Sequence, residues 1–157
     1  SDYAQQLEME SIGKQANPNS IFKNTGQVIF GGFGSTAQHS YFQLLHQGTA
    51  SACADIFSIE SNKGTNKLLY AQAQAQAGLL SNGPHEALES FEQVNGNIPT
   101  NLFTLKELNP KTLGFLIATW EHRTYVTAKM LQINPFDQYG VSAGKIFAKK
   151  YLDEHGG

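Results

Sequence analysis

The run Gln27-Val28-Ile29-Phe30 is β-type, and it stops at Gly31-Gly32-Phe33-Gly34-Ser35 just before a helix-type segment begins at Thr36. A strand that feeds a helix through a glycine-rich turn is the opening of a β-α unit, and such units build parallel sheets covered by helices. The rest of the chain keeps this alternation. Residues 36–47 (TAQHSYFQLLHQ) place Tyr41, Leu44 and Leu45 on one side of a helix, with Gly48 past its end. Residues 50–59 and 101–105 predict a second and a third strand. Between them, residues 66–80 contain Ala71-Gln72-Ala73-Gln74-Ala75-Gln76-Ala77, whose alternation imitates a strand. Alanine and glutamine form helices well and strands poorly, so the segment reads as helix. Ser81-Asn82-Gly83-Pro84 ends it, and a shorter acidic helix is expected to about Gln93.

Asn109-Pro110 opens a long helix over 111 to about 133, with proline in the tolerated first turn. Its first half (TLGFLIATW) is apolar nearly all round and is expected to be buried. A last helix is expected from about 138 to 155. At the other end, residues 2–14 read as a helix with Leu7 and Met9 on its apolar side, ended by Asn17-Pro18-Asn19. The expected class is α/β with a small parallel sheet whose apolar faces need partners outside the chain.

At 157 residues the chain has room for one core of ordinary size. A net charge of −2 and a pI of about 6.2 give no electrostatic footprint for nucleic acid or an anionic membrane. No apolar run approaches the ~18 residues of a membrane span. One cysteine, Cys53, cannot form an internal disulfide, which suits a reducing cytoplasm; its apolar setting predicts a buried packing thiol. The chain opens at Ser1-Asp2 without a methionine and with a helix under way, and reads as a piece of a longer protein.

The candidate sites follow from side-chain chemistry. Gln138 and Lys145 lie seven residues apart, close to two helical turns, so an amide and an ammonium project from one face and could grip one polyanionic ligand; the spacing by itself fits an ordinary amphipathic helix with a solvated lysine better. The turn Gly31, Gly32, Gly34 and Ser35 can offer backbone donors to an anion, although it lacks the lysine of a P-loop. His39 and His46 share a helical face, but no carboxylate completes a metal site, and they read as packing and hydrogen-bonding residues. Glu121 and His122 are adjacent, so they point about 100° apart and do not form an acid-base pair. Glu60 ends a strand at the side where α/β sheets place ligands and could stand in for missing acid-base chemistry, but it reads better as a solvated turn carboxylate. Lys149 and Lys150 read as a solvated helix end.

Residues 134–145 (NPFDQYGVSAGK) resemble the C-terminal signature of glucose-6-phosphate isomerase, F-D-Q-x-G-V-E-x-x-K, with Ser142 at the place of the glutamate. Four more blocks follow the family in its own order. Residues 7–14 (LEMESIGK) are similar to L-x-M-E-S-N-G-K. Residues 34–49 (GSTAQHSYFQLLHQGT) are similar to G-T-N-x-Q-H-x-F-x-Q-L-x-H-Q-G-T. Residues 96–100 (GNIPT) match G-N-x-P-[ST], and 113–122 match L-G-x-L-x-A-x-Y-E-H with Trp120 for tyrosine. The resemblance covers essentially the whole chain and corresponds to the last third of a family member. It implies a sugar-isomerase (SIS) type parallel sheet over residues 1–157, with a C-terminal helical arm from about 134. It implies an aldose-ketose isomerase of glycolysis and gluconeogenesis, working through a cis-enediol with no metal or organic cofactor, as a cytoplasmic, bacterial homodimer that binds no nucleic acid and no membrane. Gln138 and Lys145 inherit the catalytic places, and Gly31, Gly32, Gly34 and Ser35 the substrate-binding turn.

Two departures bear on activity. The family's strand ends W-G-E-P-G-T, and its glutamate is the base; Gly32 stands at that position. The family histidine after the second strand has no counterpart in the shorter segment 60–66 (ESNKGTN). The isolated chain is therefore expected to be inactive. The alternative reading is a divergent, non-catalytic relative that keeps the fold and a sugar-phosphate grip for binding or assembly.

Overall fold

The computed structural model describes residues 2–84, 86 and 89–156. It is an α/β structure of two compact units, one formed by Ser1–Phe30 with Leu116–Gly157 and the other by Gly31–Phe115.

The second unit holds the sheet. Strands β1 (Ala54–Ile59) and β2 (Thr100–Leu105) pair in parallel, in register from Ala54 opposite Thr100 to Ile59 opposite Leu105. Phe57 and Phe103 stand opposite one another with ring centroids 5.1 Å apart. The ladder runs on past the strands, because the Glu60 and Ser61 amides donate to the Leu105 and Lys106 carbonyls at 2.7 and 3.0 Å. A parallel pair needs a crossover, and its main element is helix α5 (Lys67–Asn82), which packs on both strands. The Asn66 side chain caps its start by accepting from the Leu69 amide at 3.1 Å, and Leu80 and Ala77 on it are buried.

The Ala-Gln stretch is helix, as propensity predicts, and its glutamines act as ties. Gln72 Nε2 donates to Gln38 Oε1 at 3.3 Å, Gln74 Nε2 to the buried Ser58 hydroxyl at 3.1 Å, and Gln76 Oε1 meets His46 Nε2 at 2.8 Å. Residues four apart share a helix face and the one between them points nearly opposite. One face of α5 is thus bound to β1, and the other to the segment around α2 (Gly34–Ala37) and α3 (Phe42–Gln47). The loop before β2 closes on the end of α5 through Gly96 and Asn97, both left-handed with φ of 63° and 54°. A Cβ at Gly96 would lie 2.6 Å from the Gly83 nitrogen, so only glycine fits this approach.

Several sequence expectations change in this unit. The helix expected over 36–47 is broken. The His39 and Ser40 amides bond to Thr36 and Ala37, three residues back, and these tight turns stop the α-ladder after one turn. β1 begins at Ala54 rather than Ala50, and Cys53 just before it is exposed, not buried. The acidic helix expected before Gln93 is absent from described residues 89–93, which make a turn with Glu92 bonded to Glu89; residues 85, 87 and 88 of that expectation lie outside the described residues. A four-residue helix, α4 (Asn62–Thr65), precedes α5.

In the first unit, α1 (Asp2–Gln5) runs into a π-helical turn, Gln6–Glu10. The wider turn rotates the side chains, so Glu8 is 2% exposed and Leu7 half-buried while Met9 faces outward, against the expected Leu7/Met9 side. Glu8 is ion-paired with Arg123 and accepts from Gln27 Nε2 at 2.6 Å, while the Arg123 guanidinium lies over the Trp120 ring. A buried carboxylate is tolerable only with such partners. The run 27–30 belongs to no strand, since a strand exists only as one half of a hydrogen-bonded pair. Helix α6 (Pro110–Leu131), which enters this unit at Leu116, buries Trp120, Thr124 and Ala128, one per turn along its second half. Its apolar first half is open instead, with Phe115 at 68% exposure, because the burying contacts fall where the N-terminal segment covers the helix. Helix α7 (Tyr139–His155) buries no residue.

Candidate functional site

Gly31, Gly32, Gly34 and Ser35 lie together on one exposed turn that enters α2 from Phe33. The glycines of this turn do not have positive φ; among the described residues those are Gly26, Gly83 and Gly96. The backbone there is open to any residue, so the glycines are not required by conformation. A one-turn helix adds little macrodipole to the turn's own amides.

A residue that sequence patterning assigns only to a packing face, Tyr41, reaches this turn. An ideal Cβ on Gly32 would lie 4.0 Å from the Tyr41 hydroxyl. Burial raises the phenol above its ordinary pKa, and a hydrogen bond from the Gly32 backbone pulls it partly back. The ring is fixed as the N-cap of α3, stacked on Phe42 at 5.7 Å between centroids. The available signal was its position in the motif, where the family pattern has phenylalanine.

Gln138 caps the start of α7, its carbonyl accepting from the Ser142 amide at 3.0 Å and its side chain exposed. The loop leading to it is held from below. Lys14 Nζ donates to the Asp137 carbonyl and lies 3.7 Å from its carboxylate, Pro135 is buried, and Phe136 packs against Tyr125. Lys145, seven residues on, is exposed and has no hydrogen-bond or ion-pair partner among the described residues. The helix rise separates the two by roughly 10 Å along one face. An amide and an unneutralised ammonium so spaced suit an elongated anionic ligand.

Glu60 lies at the carboxyl end of β1, 3.5 Å from Lys63 Nζ. That ammonium sits 5.0 Å from the Tyr70 ring centroid, and Tyr70 followed by Glu60 holds its pKa up. His46 packs on Phe42 and bonds Gln76, as a structural histidine does, whereas His39 is exposed. Glu121 and His122 go to separate partners, the Tyr3 hydroxyl and the Ala118 carbonyl. Among the described residues no group of histidine, cysteine and carboxylate side chains is arranged to hold a metal, and no helix is long and apolar enough to cross a membrane. A cleft of about 510 Å³ opens between Gly48–Ala52 and Asn95–Pro99. It lies at the amino ends of the strands, the wrong end for a ligand of an α/β sheet.

These features can be set beside known proteins. The model of the phosphoglucose isomerase family matches residues 1–156. The chain is 38% identical to the glucose-6-phosphate isomerase of Acinetobacter venetianus over 174 aligned residues, covering 96% of this chain and 31% of that protein. It is 41% identical to that of Novosphingobium aromaticivorans, covering 99% of this chain and 32% of the relative. The crystal structure of a glucose-6-phosphate isomerase from Chlamydia trachomatis superposes with a TM-score of 0.85 at 30% identity, over 97% of this chain and 32% of that one. The chain thus spans about a third of the length of the relatives it matches. From its first helix to the end of α7, it belongs to the phosphoglucose isomerase family.

Proposed function

We propose that this chain is the C-terminal part of a glucose-6-phosphate isomerase, interconverting glucose 6-phosphate and fructose 6-phosphate in glycolysis and gluconeogenesis. The observation that carries this reading is the match of the family model over residues 1–156. In this reading Lys145 supplies positive charge to the sugar phosphate or its enediolate, Gln138 hydrogen-bonds to it, and the turn Gly31, Gly32, Gly34, Ser35 offers backbone contacts to substrate. Residues 1–157 form part of a sugar-isomerase domain with a helical arm from about 134. They work with the upstream part of the same protein, as a cytoplasmic homodimer without cofactor.

Isomerisation needs a base within hydrogen-bond reach of the carbon acid. The base takes the proton from the carbon beside the carbonyl, and that electron pair forms the enediol double bond as the carbonyl pair moves onto its oxygen. A hydroxyl proton passes from one oxygen to the other, and the carbon proton returns from the base to the neighbouring carbon. Gly32 cannot serve. Glu60 is the first candidate, on a strand end fixed by the ladder, and Glu10 the second. In a coupled assay the complete protein is expected to turn over substrate, and the 157-residue chain alone is expected not to. Turnover by the isolated chain that is lost in Lys145→Ala would refute the division of labour. A complete protein that binds sugar phosphate without turnover would favour the second reading, a non-catalytic relative, for which Gly32 is the specific observation.

A further inference from the structure

Two asparagines of the chain precede a glycine, Asn82 at the end of α5 and Asn95 in the loop before β2, and the fold holds them differently. A glycine after asparagine leaves its backbone nitrogen open to the side-chain amide, because no Cβ stands in the way. At Asn82 that nitrogen is engaged: the Gly83 amide donates to the Leu79 carbonyl at 2.9 Å and closes the helix. At Asn95 the Gly96 nitrogen has no hydrogen-bond acceptor among the described residues. Asn95 is exposed, and both residues line the cleft of about 510 Å³, so water reaches the pair.

Asn95 is also a fastening. Its backbone amide donates to the His46 carbonyl at 2.8 Å and its Nδ2 to the Gly48 carbonyl at 2.7 Å. Two carbonyls at the end of α3 thus receive donors from one residue of the loop. Gln47 Nε2 reaches back from α3 to the Phe91 and Gln93 carbonyls at 3.1 and 2.9 Å.

We propose that Asn95 is a site of spontaneous deamidation, and that its conversion unfastens the loop before β2 from α3. The Gly96 nitrogen forms a bond to Cγ of Asn95 while the Cγ–Nδ2 bond breaks. The leaving nitrogen keeps that electron pair, takes up the proton that Gly96 gives up, and departs as ammonia. One water then opens the succinimide at either carbonyl, giving aspartate by one route and isoaspartate by the other. Nothing is oxidised or reduced, and water is the only co-reactant. In both products a carboxylate, which only accepts, replaces the amide donor, and the Gly48 carbonyl loses its partner. Isoaspartate also lengthens the main chain by one carbon just before Gly96, where there is no slack: a Cβ on Gly96 would fall 2.6 Å from the Gly83 nitrogen. The Nδ2 bond to Gly48 restrains the reacting side chain, but it is a single exposed bond that opens locally. Reaction at Asn82 first requires the end of α5 to open as well.

The test ages the complete protein in mildly alkaline buffer and maps its peptides by mass, with enzymatic methylation of isoaspartyl carboxylates as a second readout. The expected result is conversion at Asn95 at least about tenfold faster than at Asn82, the scale set by opening a hydrogen-bonded helix end, with both aspartate and isoaspartate at position 95. Asn95→Gln, which has to close a larger ring, gains no isoaspartate there. In unaged protein, Asn95→Asp makes limited proteolysis within 91–99 about fivefold faster, as the loss of one hydrogen bond predicts. Asn95 intact after Asn82 has converted, or equal rates at the two, overturns the assignment. An unchanged cleavage rate in Asn95→Asp overturns the unfastening. Each outcome is independent of the isomerase reading, since neither readout involves turnover.

Discussion

Helices α5 and α7 are nearly equal in length, 16 and 17 residues, and opposite in surroundings. α5 is built from a low-complexity sequence, yet it buries Ala77 and Leu80 and ties three glutamines to β1, α3 and the residue that follows α2. α7 carries the most informative motif of the chain and buries nothing. Its apolar residues, Val141, Ile146, Phe147, Tyr151 and Leu152, all stand open to solvent. The difference separates two uses of a helix. Short apolar and amide side chains on α5 fit a space that the chain itself encloses, so that helix organises its unit. The side chains of α7 are displayed, so they add little to packing within the chain. Substitutions in α5 should register as stability, and those in α7 as function.

The largest effect expected from that contrast is at Leu80, which is 1% exposed. Leu80→Ala deletes buried volume where α5 meets the loop before β2, and should cost about 3 kcal/mol in urea unfolding of the chain. A cost below about 1 kcal/mol would mean that α5 is not the centre of its unit. Lys145→Ala should do the reverse. In the complete protein it should weaken binding of a phosphorylated inhibitor about tenfold to hundredfold, as expected for a charge-assisted contact, with the unfolding midpoint unchanged. Unchanged inhibitor affinity would reduce Lys145 to a solvated helix charge.

The third effect is smaller and belongs to α5. Gln76 is the partner of His46 Nε2, and His46 Nδ1 is already buried without a hydrogen bond. Gln76→Leu leaves both ring nitrogens without protein partners at a partly buried position, and should cost about 1 kcal/mol. A double-mutant cycle with His46→Phe isolates the pair; a coupling near zero would show that the glutamine ties are incidental to packing.

How much of this was legible in the sequence differs between the same two regions. α5 was legible because propensity outweighs a false alternation: Ala and Gln at 71–77 cannot hold a strand that has better candidates beside it. The strands expected over 50–59 and 101–105 and the long helix after Pro110 were readable in outline from apolar patterning and capping, although the first strand starts only at Ala54. The run 27–30 looked equally like a strand, but pairing is a property of two segments and cannot be read from one. Burial failed for a related reason. Phe115 and its neighbours are apolar all round, which says that they seek cover and not where the cover is. Glu8 was missed because a π-turn shifts helical phase by a fraction of a turn, and periodicity arguments assume constant phase. At the candidate site, motif order brought Gln138 and Lys145 to notice. Tyr41 stayed hidden because its approach to Gly32 depends on a helix breaking at 38–41, where nothing but ordinary polar residues marks the break.

The smallest effect is the sharpest check on the contrast, because a null result is what the structure requires. Ile146 is 68% exposed on α7, and isoleucine and serine have similar helix propensities. With no packing to lose and little propensity to change, Ile146→Ser in the 157-residue chain should alter unfolding stability by less than about 0.5 kcal/mol. The same substitution at a buried helical position removes both transfer free energy and contacts, and leaves a polar hydroxyl to satisfy. A loss of more than about 1 kcal/mol in the chain at low concentration would show that α7 folds onto its own chain, and the contrast with α5 would fail. A loss that appears only as protein concentration rises would locate the cover on a second molecule, because stability gained by association depends on concentration and stability gained within one chain does not.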